Sequence, residues 1–209
     1  MKANYSTHLH TVRAMLLTAF IFFMLPQLKA QTIFKISPGP EVSIKVLGTS
    51  NIHDWVMAST AIESSCEFKF DGGKLTAIQL FNLAVPATSL KSEHSSMDSR
   101  TYKAINADKF PKIMYKLIST VITPVDKNKY LVKTKGDLTI SGVTQAIAMD
   151  VTVVVNADHS LTCTGTEKIK LTDYKIDPPS FMLGAMKVYN DLTIQFNLNY
   201  TNNTIAKTN

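Results

Sequence analysis

The stretch Lys135-Gly136-Asp137-Leu138-Thr139-Ile140-Ser141-Gly142-Val143-Thr144, continued by the run 145–155, decides the fold of this chain. Apolar and polar residues alternate up to Ser141-Gly142, where the rhythm breaks. It then resumes with Ile147, Met149, Val151, Val153 and Val155 on one parity. Successive strand side chains point to opposite faces, so this is a β-hairpin with one apolar face, the repeating unit of an antiparallel β protein. Gly142 stands where the two runs meet, a place where a turn calls for positive φ. Gly136 falls inside the first run and marks a bulge or a close approach, so its replacement is expected to cost less than that of Gly142.

Outward from this hairpin the same pattern recurs. Toward the C-terminus, residues 161–171 form a strand behind the turn Asn156-Ala157-Asp158. A loop holding Asp177-Pro178-Pro179 and Gly184 precedes the last strand. There Leu192, Ile194, Phe196, Leu198 and Tyr200 alternate with Thr193, Gln195, Asn197 and Asn199. Toward the N-terminus, Tyr130, Val132, Leu138 and Ile140 mark the fifth strand, and Ile113, Tyr115 and Leu117 the fourth. Residues 75–85 form the third, behind the hairpin signal Asp71-Gly72-Gly73-Lys74. Residues 55–70 form the second, with Ile62, Cys66, Phe68 and Phe70 on one face. Val42, Ile44 and Val46 mark the first, over residues 41–49, behind a short lead from Gln31.

Residues 87–111 break the β rhythm. Ser95-Ser96-Met97-Asp98-Ser99 offers N-caps with an acid in the first turn; Met97, Tyr102, Ile105 and Phe110 fall near helical spacing, and Pro111 forbids continuation. One helix is therefore expected between the third and fourth strands. Eight strands, mostly hairpin-connected, imply an all-β closed barrel or a sandwich. Eight is about the smallest number of barrel strands whose interior can hold a ligand, and periodicity does not separate a hollow barrel from a filled one.

The first thirty residues stand apart. Lys2 and Arg13 give a cationic start, residues 14–25 are apolar except for Thr18, and Leu28-Lys29-Ala30 follows Pro26. The run is too short to cross a bilayer, so residues 1–30 are expected to be a removed signal peptide, leaving a chain from Gln31 without stable membrane insertion. Its removal takes away Lys2, Arg13 and Lys29 and no acid, which lowers the formal charge from +6 to +3. That mild balance, with no basic run, argues against nucleic acid. Residues 201–209 are polar and expected to be a disordered tail.

The chemistry-bearing residues are sparse. His53 and Asp54 are adjacent, so in an extended segment they point apart; His53, His94 and His159 lack the close spacing of common zinc sites. The expectation is that His53 and Asp54 bond backbone in a turn while Trp55 packs at a barrel end. No Gly-x-Ser-x-Gly elbow and no Gly-rich phosphate loop is present, so no catalytic residue, metal or cofactor is assigned. Cys66 and Cys163 share the apolar parity of their strands. In an oxidising compartment they could bridge, and as two buried free thiols they would serve as small apolar residues.

Gly136-Asp137-Leu138-Thr139-Ile140-Ser141-Gly142-Val143-Thr144-Gln145-Ala146-Ile147 resembles the signature of YceI-like proteins, envelope barrels associated with polyisoprenoid and other long-chain lipids. Four more pieces follow the same family's order. They are Ser50-Asn51-Ile52-His53-Asp54-Trp55; Val85-Pro86-Ala87-Thr88-Ser89-Leu90-Lys91-Ser92 with Met97-Asp98 and Tyr102-Lys103-Ala104; Asp108-Lys109-Phe110-Pro111-Lys112-Ile113; and Leu171-Thr172-Asp173-Tyr174 with Asp177-Pro178-Pro179. The resemblance runs from about Lys45 to Tyr200 and implies one domain over residues 31–200. It implies an eight-stranded antiparallel lipocalin-like β-barrel with one inserted helix, an elongated apolar cavity, and a periplasmic or secreted location in a bacterial envelope. It further implies that the inward parity set lines that cavity: Phe68, Phe70, Phe81, Leu83, Tyr115, Leu117, Leu138, Ile140, Met149, Val151, Phe196 and Leu198. The function it points to is binding of a long-chain amphiphile, a polyisoprenoid or fatty-acyl lipid, without chemistry on it. A barrel packed with its own side chains and serving interactions or stress responses in the envelope is the other reading. An enzyme acting on such a lipid is a third.

Overall fold

The computed structural model describes residues 33–202. The expected signal peptide (1–30) and the tail from residue 203 onward lie outside them. Among the described residues the strands are β1 (Ile33–Ile36), β2 (Ser43–Ser50), β3 (Asp54–Ser59), β4 (Glu63–Asp71), β5 (Lys74–Pro86), β6 (Lys112–Pro124), β7 (Lys129–Ile140), β8 (Val143–Val155), β9 (Leu161–Lys170), β10 (Ser180–Phe181) and β11 (Met186–Asn202). One α-helix, α1 (Ser95–Ala104), interrupts them between β5 and β6.

The hairpin that opened the sequence reading is β7–β8, paired in unbroken register from Ile140↔Val143 to Lys129↔Val154. Its two-residue turn has φ 51° at Ser141 and 77° at Gly142. Both are positive, as the twist-matched hairpin turn requires. β8 owes its length to Val143, Thr144, Ile147, Val151, Thr152, Val153, Val154 and Val155, β-branched side chains that fit a pleated, half-buried surface.

The ring closes through β1. This strand pairs with β4 (Phe34↔Cys66) and with β11 (Ile36↔Tyr200), so the circuit β1–β4–β5–β6–β7–β8–β9–β11 returns on itself as an eight-stranded antiparallel barrel. The short lead read from the sequence is thus the closing strand, and Thr201 and Asn202, assigned there to the tail, pair with Lys35 and Phe34 as the end of β11. Residues read as one second strand divide at Thr60-Ala61 into β3 and β4. At seventeen residues β11 is long enough to serve two partners along one edge: its first part, Val188 to Asn197, takes β2, and its end takes β1. The β2–β3 hairpin therefore extends the wall at one end, and Ala58 bridges on to Lys91.

That end is also where α1 sits. Asp98 in the first turn and Lys103 in the last suit the helix dipole. The N-cap is His94, and Ser95 and Ser96 lie inside the helix without capping it. The anchoring falls to Ser92, whose N–H and Oγ–H both donate to Asp98 Oδ1 at 2.7 Å. Burial works against the Asp98 charge, but those bonds and the Lys91 ammonium at 3.7 Å hold its carboxyl below the usual range. Tyr102 Oη donates to Leu90 O (2.7 Å), with Thr88 O at 2.9 Å, tying the helix to the chain leaving β5. Ile105 already leaves the helix and Asn106 takes φ 54°, so the expected helix stops a turn before Phe110.

Candidate functional site

Inward-facing side chains gather in two buried clusters with space between them. At the end of the barrel away from α1, Phe34, Phe68, Tyr130, Val153, Leu161 and Tyr200 form one cluster with both cysteines. At the α1 end, Ile105, Ile140, Ile169, Leu171, Tyr174 and Ile176 form the other. Phe81, Leu83, Met149 and Ile194 pack against both and yet stay partly accessible, although they point into the barrel. A filled core would bury them, since protein interiors pack like organic crystals. Here they border a cavity of about 360 Å³, within the range of small-molecule sites.

Eleven of the twelve residues named from the sequence line it. β4 supplies Phe68, β5 Phe81 and Leu83, β6 Tyr115 and Leu117, and β7 Leu138 and Ile140. β8 supplies Met149 and Val151, and β11 Phe196 and Leu198. Phe70 does not belong to the set. It shares the parity of Phe68 but lies at the end of β4, next to a register shift and the Gly72-Gly73 turn. Its ring rests against Phe34 (centroids 6.1 Å apart) and is 37 % exposed, so the strand has run past the cavity before it reaches Phe70.

Aromatic rings lie across glycines on the inner wall. Phe196 covers Gly165, Tyr115 covers Gly136, and Trp55 covers Gly48, its paired residue on β2. Each glycine gives the ring a flat seat that a Cβ would block, and the rings are thereby held against the wall. The close approach expected at Gly136 is the one made by Tyr115.

The mouth opens beside α1. Its rim carries Met97 and Arg100 of α1, His53 of the β2–β3 turn, and Phe181 of β10. The Arg100 guanidinium stands 4.6 Å from the centre of the Phe181 ring, a cation–π contact across the opening. His53 Nδ1 bonds Asp54 O at 2.8 Å, as expected, while the second side-chain bond that closes the turn comes from Ser50 Oγ, which donates to His53 O at 2.8 Å, and not from the Asp54 carboxylate. Among the described residues no group of three His, Cys, Asp or Glu converges as a metal site.

Polar groups inside are few. Tyr115 Oη donates to Thr134 Oγ1 (3.4 Å), which donates to Met149 O (3.2 Å). Glu167 lines the cavity from β9, and burial raises its carboxyl above the usual range. Burial first, and then the charges of Asp173 and Glu167, push the Tyr174 phenol up to about 12. Sequence reasoning passed over Glu167, although it shares the parity of Cys163, Gly165 and Ile169. A carboxylate on an apolar face was the available signal. Tyr174 entered only as part of a motif, and Trp55 only as packing.

Cys66 and Cys163 are both buried and free. Their strands are separated in the ring by β1 and β11, with Tyr200 nearby. Burial pushes the Cys163 thiol up to about 12 and the Cys66 thiol higher still, so both behave as small apolar groups.

The sequence matches the YceI-like domain over residues 34–200. The chain belongs to the YceI-like family. Among curated proteins none matches it significantly. Of solved structures, BcnA from Burkholderia cenocepacia is 21% identical, with 76% of this chain and 96% of that one covered at a TM-score of 0.58. A polyisoprenoid binding domain from Saccharophagus degradans, implicated in plant cell wall breakdown, is 12% identical, with 81% and 98% covered at 0.59. A Campylobacter jejuni YceI protein with a monobromobimane guest is 20% identical, with 67% and 81% covered at 0.51. At these identities the likeness is one of fold, and the YceI-like barrel accounts for every strand of the closed ring.

Proposed function

We propose that this YceI-like protein binds a single-chain amphiphile, a polyisoprenoid or fatty-acyl lipid, in its barrel and performs no chemistry on it. The observation that carries this reading is the apolar cavity between two buried clusters, walled by inward side chains that the fold leaves partly uncovered. Each buried methylene is worth about 0.8 kcal/mol, so a chain of about fifteen would gain on the order of 12 kcal/mol before ordering costs. Few polar contacts are then needed, and few are present. A volume of about 360 Å³ suits one chain better than a multi-chain lipid. The name of the Saccharophagus degradans relative, a polyisoprenoid binding domain, supports the same ligand class.

Organic extraction of the purified protein followed by mass spectrometry tests this. A co-purifying long-chain compound is the expected result. A clean extract from a protein that also takes up no added lipid would leave the barrel without this role, and turnover of an added lipid would make it an enzyme. The proposed setting is the bacterial envelope, supported by the cationic start and short apolar run of residues 1–30. N-terminal sequencing of envelope material should then begin at Gln31, and recovery of Met1 there would count against export.

A further inference from the structure

Among the described residues, two hydrogen-bond donors inside the barrel have no partner. Tyr174 is 2 % exposed and its Oη bonds nothing; Trp55 Nε1 is likewise buried and unbonded. Both side chains line the cavity. Strand register puts them at the same end. Trp55 pairs with Gly48, Gly48 with Leu192, and Leu192 with Ile169, one residue before β9 ends and the short helical turn Leu171–Tyr174 begins. Glu167 lies one inward step below Ile169 on the same strand and faces the same cavity. A buried donor left unpaired costs about 1–3 kcal/mol, so an apolar cavity that holds two of them together with a carboxyl is not built for hydrocarbon alone.

We infer that Trp55, Tyr174 and Glu167 form a polar station just inside the mouth, which recognises the uncharged hydroxyl or carbonyl end of a long-chain ligand. Trp55 Nε1–H and Tyr174 Oη–H donate to the ligand oxygen, and Glu167 accepts from the ligand hydroxyl where there is one. This rests on the cavity being a lipid site. A phosphate or carboxylate end would bring a full charge among apolar walls, with no cation at the station to pair with it. Its natural counterpart is Arg100, outside on the rim.

The test is a titration of the full chain with three probes of one chain length, dodecan-1-ol, dodecane and dodecyl phosphate. Trp55 is the single tryptophan, so its emission reports on the site directly. Dodecanol should bind tightest and shift that emission. Tyr174→Phe, which removes one donor and keeps the ring, should weaken dodecanol by about 3- to 10-fold, the worth of one neutral hydrogen bond, and leave dodecane unchanged. Trp55→Phe, followed by calorimetry, should do the same. Equal affinity of the parent for dodecanol and dodecane would overturn the station while leaving the lipid site standing. So would equal losses for both probes in the variants. Tightest binding of dodecyl phosphate would place recognition at the Arg100 rim instead. If none of the three binds, the lipid site and the station both fall.

Discussion

Phe196 on β11 and Gly165 on β9 stand directly opposite each other in the barrel wall, and the Phe196 ring lies where a Cβ on Gly165 would be. Gly165→Ala therefore forces the ring off its seat and toward the cavity. Overpacking of this kind costs about 1–3 kcal/mol. Gly39 has open space around it and no positive φ, so Gly39→Ala should stay within about 0.5 kcal/mol of the parent. Urea unfolding of the two variants side by side checks the relationship, and equal midpoints would show that the glycine seat is not needed.

The β7–β8 turn supplies a second case. Gly142 combines φ 77° with the Phe110 ring packed over it, so Gly142→Val meets both backbone strain and a clash. A loss of about 1–3 kcal/mol from strain alone is expected in thermal or urea unfolding. The sequence placed the smaller effect at Gly136, and the contacts there argue for a different order. A Cβ there meets Tyr115 and, at 2.6 Å, the carbonyl oxygen of Lys116, which is backbone and cannot swing aside. Gly136→Val should cost at least as much as Gly142→Val.

What the sequence could show was whatever repeats along one strand. The strict alternation from Leu192 to Tyr200 assigned the inward residues of that part of β11, though not Met186 and Val188, which also line the cavity from the start of the strand. The Ser141-Gly142 turn was placed to the residue. β1 escaped because Ile33-Phe34-Lys35-Ile36 is too short for a period, and its role depends on partners on β4 and β11 far along the chain. The break between β3 and β4 carries no Gly, Pro or Asn to announce it. Phe70 failed for a related reason: parity fixes the side a residue faces and not its height along the barrel. The unpaired state of Trp55 Nε1 and Tyr174 Oη is a property of their surroundings, which no local pattern encodes.

Glu167 makes stability depend on pH. Burial raises its carboxyl above the ordinary 4.5, so the folded protein keeps this proton where the unfolded chain has released it. The stabilisation is full below the unfolded value and is lost as pH rises through the folded one. Its near neighbours among titrating groups are Tyr115 and Tyr174, whose phenols burial keeps neutral across that window. Glu167→Gln removes this dependence, so the variant should gain on the parent in urea midpoints as pH rises above the ordinary 4.5. Parallel pH profiles for the two proteins would show that Glu167 stays solvated.

Phe196→Trp tests whether the interior is hollow. Phe196 points inward and is only half-buried, whereas Leu198, one step further along β11, is 2 % exposed. The difference places free space in front of the Phe196 ring. The larger indole should enter that space, leaving the unfolding midpoint within about 1 kcal/mol of the parent and weakening a fluorescent long-chain alcohol several-fold. In a filled barrel the same change would overpack the core, cost about 1–3 kcal/mol, and find no lipid binding to disturb. Gln195→Trp is the control, because Gln195 is exposed on the outer face of the same strand and a ring there touches neither cavity nor core. Unfolding and lipid titration measured on both variants give a two-by-two outcome. Binding lost with stability kept at position 196, and both kept at position 195, is the result a hollow barrel requires.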